Sequence, residues 1–206
     1  MGVLRALLRG ASATADDVGS SRLYRLADRF RPSVSDPVEM RMERARRMGF
    51  DVDTPLYHGT RSDFEGFDIA RAGQNDHGVN GRGVYLTPDA STANVYAQLS
   101  RVGDAPNILP TFARVRNPLE LDSAMLPRNA EESIALTERA KARGHDGIVT
   151  RTRDGQLNEV IVFDPSNIRS RFAAFDPARS NSRDLLAGIA APAAVGGALS
   201  QRERRR

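Results

Sequence analysis

Residues 81–97 read Gly-Arg-Gly-Val-Tyr-Leu-Thr-Pro-Asp-Ala-Ser-Thr-Ala-Asn-Val-Tyr-Ala, and the order of features along them decides the fold. Gly81-Arg82-Gly83 opens like a dinucleotide-binding fingerprint, but that fingerprint works only when its glycines lead into a helix whose N-terminus meets a pyrophosphate. Here they lead into Val84-Tyr85-Leu86-Thr87, whose β-branched and aromatic residues predict a strand over 83–87. A helix over 90–99 follows only after Pro88-Asp89, with Asp89 placed as its N-cap. A doubly wound nucleotide-binding sheet is thereby excluded.

Outward from this stretch, short apolar runs bounded by Gly, Pro, Asn and Asp predict further strands over 55–59, 108–115, 147–150 and 157–163. A second helix is expected over 130–143, stopped by Gly144. Helices placed between unevenly spaced strands indicate an α+β fold. Upstream, residues 20–30 and 37–48 read as helices, the latter ended by Gly49. The chain divides accordingly into a helical extension (1–50), a strand-rich domain (51–177) and a tail rich in Ala, Gly and Arg (178–206).

The 206 residues, 40% apolar and 27% charged, suit one soluble domain with appendages. No cysteine is present, which removes disulfides, thiolate metal sites and cysteine nucleophiles. The net charge of +4 is unevenly spread: ten arginines face six acids in 1–50, 14 cations face 18 acids in 51–177, and six arginines face two acids in 178–206. An acidic centre is the wrong footprint for a phosphate-binding domain, so any nucleic-acid, phage or host contact is expected from the basic flanks. His58, His77 and His145 have no metal-ligand spacing. Arg5 and Arg9 interrupt the apolar start ahead of Ala11-Ser12-Ala13, so no signal peptide is expected and the setting is cytoplasmic, either the cell's own or that of a host. The uncharged stretch 185–199 falls short of the ~20 residues that span a bilayer.

Three segments place a polar group in an otherwise apolar strand, where burial without a partner costs free energy. In Leu56-Tyr57-His58-Gly59-Thr60, an imidazole offers a ring N–H beside a glycine that lets a ligand approach the backbone. Tyr85 and Tyr96 could hold a planar ring between them, or simply pack in the core. In Leu157-Asn158-Glu159-Val160-Ile161-Val162-Phe163-Asp164, Glu159 is either solvated at a strand mouth or a fixed charge facing a cationic transition state. Residues 70–80, polar and Gly-rich, fit a loop over a ligand, and His77 within them reads as solvated.

Together Tyr57-His58-Gly59-Thr60, Gly81–Tyr85 with Tyr96, and Asn158–Asp164 resemble the His-Tyr-Glu signature of the diphtheria-toxin and poly(ADP-ribose) polymerase branch of the ADP-ribosyltransferases. The surroundings, from residue 45 through Phe64-Glu65-Gly66-Phe67-Asp68 to Asp164-Pro165-Ser166-Asn167, are similar to transferase modules of large phage and prophage proteins. The resemblance implies two small antiparallel-rich sheets around an NAD cleft and cleavage of the nicotinamide–ribose bond without a metal. It assigns Glu159 to the oxocarbenium-like ribose, His58 to the adenosine ribose, and Gly59 to the nicotinamide amide. Thr60 falls near the ribose, and Tyr85 and Tyr96 against the nicotinamide ring. Polymerase-like members carry Ser where Ala93 stands, leaving Ser91 or Thr92 as substitutes. Leu157 replaces the polar residue of the arginine-modifying branch, which disfavours a guanidinium acceptor.

The resemblance leaves the acceptor open among protein, nucleic acid and small molecule, with mono-transfer favoured. A rifampin-type transferase would typically carry Asp in place of Glu159. A silent binding module and an NAD glycohydrolase are the two remaining rival readings, and nicotinamide release separates the silent module from the rest. Deletion of 178–206 is expected to leave NAD cleavage intact.

Overall fold

A computed structural model of the chain describes residues 37–62, 64–73, 80–99, 105–123 and 129–187. The helix expected over 20–30, His77 and the chain beyond residue 187 lie outside them. Pro37 precedes the first described helix, α1 (Val38–Arg47), which has Glu39 in its first turn and Arg44, Arg46 and Arg47 in its last. That charge order complements the helix dipole. Gly49, at φ +88°, takes the chain out of the helix.

The strands form two sheets. β1 (Leu56–Thr60), β3 (Asn107–Ala113) and β7 (Ile168–Ser170) make the first, ordered β1-β3-β7 and antiparallel throughout. β2 (Val84–Leu86), β4 (Pro118–Asp122), β5 (Gly147–Arg151) and β6 (Leu157–Val162) make the second, ordered β2-β6-β5-β4, with only the β4–β5 pair parallel. Two helices complete the domain, α2 (Ala90–Leu99) and α3 (Ala130–Ala142), the latter capped by the Asn129 side chain accepting from the Glu132 N–H. The fold is α+β with two mostly antiparallel sheets, as expected.

Alternation along the strands fixes the layers. Leu56, Leu109, Ala113 and Ile168 of the first sheet share one buried cluster with Val84, Leu86, Val149, Val160 and Val162 of the second. On the far side of the second sheet, Ile148, Ile161 and Phe163 pack with Ala140 and Leu136 of α3. The two sheets are joined where Tyr57 and Thr87 exchange backbone bonds of 2.8 and 3.0 Å.

Three features differ from what the sequence predicts. β4 and β7 are additional strands. α1 is part of the packed body: Ala45, Met48 and Phe50 lie against Phe112, Ala173 and Phe175, and Arg41 and Arg44 donate to the carbonyls of Ala173 and Ala174. The core also continues past residue 177, because Leu185 is fully buried between the layers. Leu185 donates its N–H to the Glu65 carbonyl and accepts the Ser170 N–H on its own carbonyl.

Candidate active site

β1 carries the first candidates. Tyr57 turns its backbone N–H and C=O toward Thr87, away from Pro110 opposite it on β3. The two-residue period of a strand therefore turns the N–H and C=O of Gly59 to the same side. There β1 and β2 have parted, and among the described residues no backbone bond of the loops engages them. A Cβ on Gly59 would stand 1.8 Å from the Ala93 carbonyl oxygen and 2.9 Å from the Ala97 nitrogen. The close neighbour that demands glycine is thus the backbone of α2. Ala93 is fully buried in that contact.

His58 packs edge-on against Phe67, with ring centroids 4.9 Å apart. Its Nδ1 lies 2.9 Å from the Tyr85 carbonyl oxygen. A carbonyl only accepts, so Nδ1 carries the proton and Nε2 presents a lone pair in the neutral ring. Burial holds the imidazole below its ordinary range, against the opposing pull of that carbonyl. The free ring position is therefore an acceptor, where the sequence pattern suggested an N–H donor.

Glu159 is buried, with 6% of its surface exposed, which rules out a solvated residue at the strand mouth. The ladder explains its placement. Thr150 pairs with Glu159 while Arg151 pairs with Leu157, leaving Asn158 as an extra residue on β6. Such a bulge re-aims neighbouring side chains. Leu157 packs against the core between the sheets. The carboxylate of Glu159 receives Asn80 Nδ2–H at 2.8 Å on Oε2 and the Tyr96 hydroxyl at 3.3 Å on Oε1.

Tyr85 packs against the cluster under α3, and its hydroxyl donates to the Gly81 carbonyl at 2.5 Å while accepting the Asn80 N–H at 2.9 Å. The turn that holds Asn80 is itself pinned. Gly81 has φ +109°, and a Cβ there would meet Ile148 Cδ1 at 2.7 Å and Thr137 Oγ1 at 2.9 Å. The Arg82 N–H donates to Thr137 Oγ1 of α3 at 2.6 Å. His58, Tyr85, Tyr96 and Glu159, drawn from β1, β2, α2 and β6, are so linked by hydrogen bonds through Tyr85 and Asn80.

The remaining candidates are more peripheral. Thr60 Oγ1 accepts from the Ser62 N–H. Ser91 gives both its N–H and its hydroxyl to Asp89, and Thr92 gives its hydroxyl to the same carboxylate. Partial burial draws Asp89 upward, but these hydrogen bonds outweigh it and hold the group below its usual range. Ser91 thus serves the N-terminus of α2 in this arrangement. Asn80 does not stand out in the sequence, where it is one of several polar residues in a Gly-rich loop.

Among the described residues no group of three or more His, Asp or Glu side chains stands where it could hold a metal ion, and no helix is long and apolar enough to cross a membrane. A family model described as ADP-ribosyltransferase in polyvalent proteins matches residues 53–176. No curated protein matches the sequence.

Proposed function

The chain belongs to the ADP-ribosyltransferases of polyvalent proteins, and from that premise we propose that it cleaves NAD at the nicotinamide–ribose bond and passes ADP-ribose, one unit at a time, to an acceptor. The observation that carries this reading is the buried Glu159 carboxylate, held by Asn80 and Tyr96 in one network with Tyr85 and His58.

The chemistry follows from charge. As the C–N bond lengthens, its electron pair leaves with nicotinamide and positive charge grows on the ribose. A preorganised carboxylate in a water-poor site stabilises that charge more than it stabilises the ground state, and removing one such group costs on the order of 10²–10³ in rate. Bond formation from an acceptor nucleophile, with loss of its proton, completes the transfer.

The other residues would bind and orient. The outward N–H and C=O of Gly59 match the acceptor and donor of a carboxamide, the pairing that the resemblance assigns to nicotinamide. His58, neutral with an accepting Nε2, suits a ribose hydroxyl. Tyr85 and Tyr96 would line the nicotinamide.

Incubation of the protein with NAD, followed by chromatography for free nicotinamide, tests cleavage. Mass spectrometry of a lysate treated in the same way, searching for added ADP-ribose, tests transfer and identifies the acceptor class. Absence of nicotinamide release from folded protein would overturn the proposal in favour of a silent NAD-binding module, whereas release without any modified acceptor would make it a glycohydrolase.

A further inference from the structure

We propose that Asn80 is a positioning residue for this reaction, holding the Glu159 carboxylate through its side chain and the Tyr85 hydroxyl through its backbone. The inference rests on the role given to Glu159 above. Asn80 is 2% exposed; its Nδ2 lies 2.8 Å from Glu159 Oε2 and its N–H 2.9 Å from the Tyr85 oxygen. The amide orientation is dictated chemically, since reversing it would set a carbonyl oxygen against a carboxylate, two acceptors with no proton between them.

What separates this residue from an ordinary buried amide is its other end. Asn80 Oδ1 is buried and has no hydrogen-bond partner among the described residues. An unsatisfied buried acceptor costs stability, and such groups are uncommon enough in native proteins to need a reason. The benefit evident here is the Nδ2–H on Glu159. An ammonium group would supply a donor too, but would also neutralise the charge that the carboxylate must offer the ribose. A neutral amide fixes the rotamer and leaves the charge in place.

The anchoring of the turn agrees with that role. Gly81, confined by Ile148 and Thr137, and Arg82, bonded to Thr137, hold the backbone beside Asn80 against α3 and β5. Asn80 is set by the fold before any ligand arrives, which is what preorganisation requires.

Nicotinamide release by the full chain, with NAD varied, decides the matter. Asn80→Ala should lower kcat by ~10-fold to ~10²-fold, as misplacement of a reacting group does, with KM for NAD little changed because His58 and Gly59 are untouched. Asn80→Asp keeps the shape but replaces the donor with a second acceptor, and should be at least as impaired at neutral pH. The decisive comparison is a double-mutant cycle: if Asn80 acts through Glu159, Asn80→Ala made in Glu159→Gln should cost less than about twofold. Equal losses in both backgrounds, or full turnover in folded Asn80→Ala, would overturn the inference while leaving NAD cleavage standing. An inactive wild type would remove the proposed function and this inference with it. Thermal melts of each variant separate lost turnover from lost folding, and Asn80→Asp, run through the same cycle, decides the question if the Ala variant does not fold.

Discussion

At the scale of single residues, the central quantity is the charge on Glu159. Glu159→Gln keeps the volume and removes the charge; its single amide oxygen can still accept from Asn80, while its NH2 faces the Tyr96 hydroxyl, which can turn to accept. Nicotinamide release should fall by on the order of 10²-fold or more, with NAD affinity changed far less, because the lost interaction strengthens only in the transition state. His58 makes a different prediction. Burial keeps its imidazole neutral below its ordinary range, whereas in the unfolded chain the ring takes a proton near pH 6.5. The unfolded state then binds more protons, so this contribution to stability is complete above about pH 6.5 and is lost as pH falls from there. His58→Gln should flatten that slope, which denaturant melts at about pH 7.5 and about pH 5.5 would reveal. Both residues are legible in the sequence because each is a polar side chain inside an apolar strand run. Asn80 is not, since a polar residue before a glycine looks like any loop. Its role depends on Glu159, 79 residues away in sequence.

At the scale of elements, β1 and α2 meet over one missing methyl group. Gly59→Ala would drive a Cβ to within 1.8 Å of the Ala93 carbonyl oxygen, a backbone atom that no rotamer change can remove. The expected cost is at least about 1–3 kcal/mol from forced separation. Nicotinamide release should fall with it, since Tyr96 rides on the displaced helix; a melting curve beside the activity assay checks both. Strands 1, 2, 3, 5 and 6 and the two domain helices are readable because each has a clear run and a clear stop. β4 escapes because Pro118-Leu-Glu-Leu-Asp122 opens on proline and alternates over five residues, with Leu119 and Leu121 covered only on the α3 side. β7 escapes for a different reason. It is three residues long with a buried Arg169 at its centre, and arginine is read as surface. Here it bonds four backbone carbonyls, of Ser166, Ile168, Arg179 and Ser180, which no local pattern announces.

At the scale of the whole molecule, buried packing continues into the stretch that composition reads as a tail. Leu185 is fully buried in the layer between the sheets, although its neighbours in sequence read as an Ala/Gly tail. Ending the chain after residue 177 should therefore destabilise the domain by more than Leu185→Ala, itself about 2–5 kcal/mol for a buried leucine, because it also removes the Arg179 and Ser180 carbonyls that the buried Arg169 bonds. Ending it after residue 187 should retain the described core. Melting temperatures of the two truncations, set beside that point variant, would test this; equal stability of both would show that Leu185 contributes little. The opposite side of the domain holds a feature of another kind: Arg41 of α1 donates to the Ala173 carbonyl across 132 positions of sequence. During translation α1 leaves the ribosome ahead of residues 173–175, and the surface it docks on is completed only when they follow. At ~5–20 residues per second, that interval is on the order of 10 s. For that time Met48 and Phe50, both buried in the finished domain, have no native partner in Ala173 or Phe175, and they form an apolar surface that a nascent-chain chaperone can meet before the rest of the domain has been made.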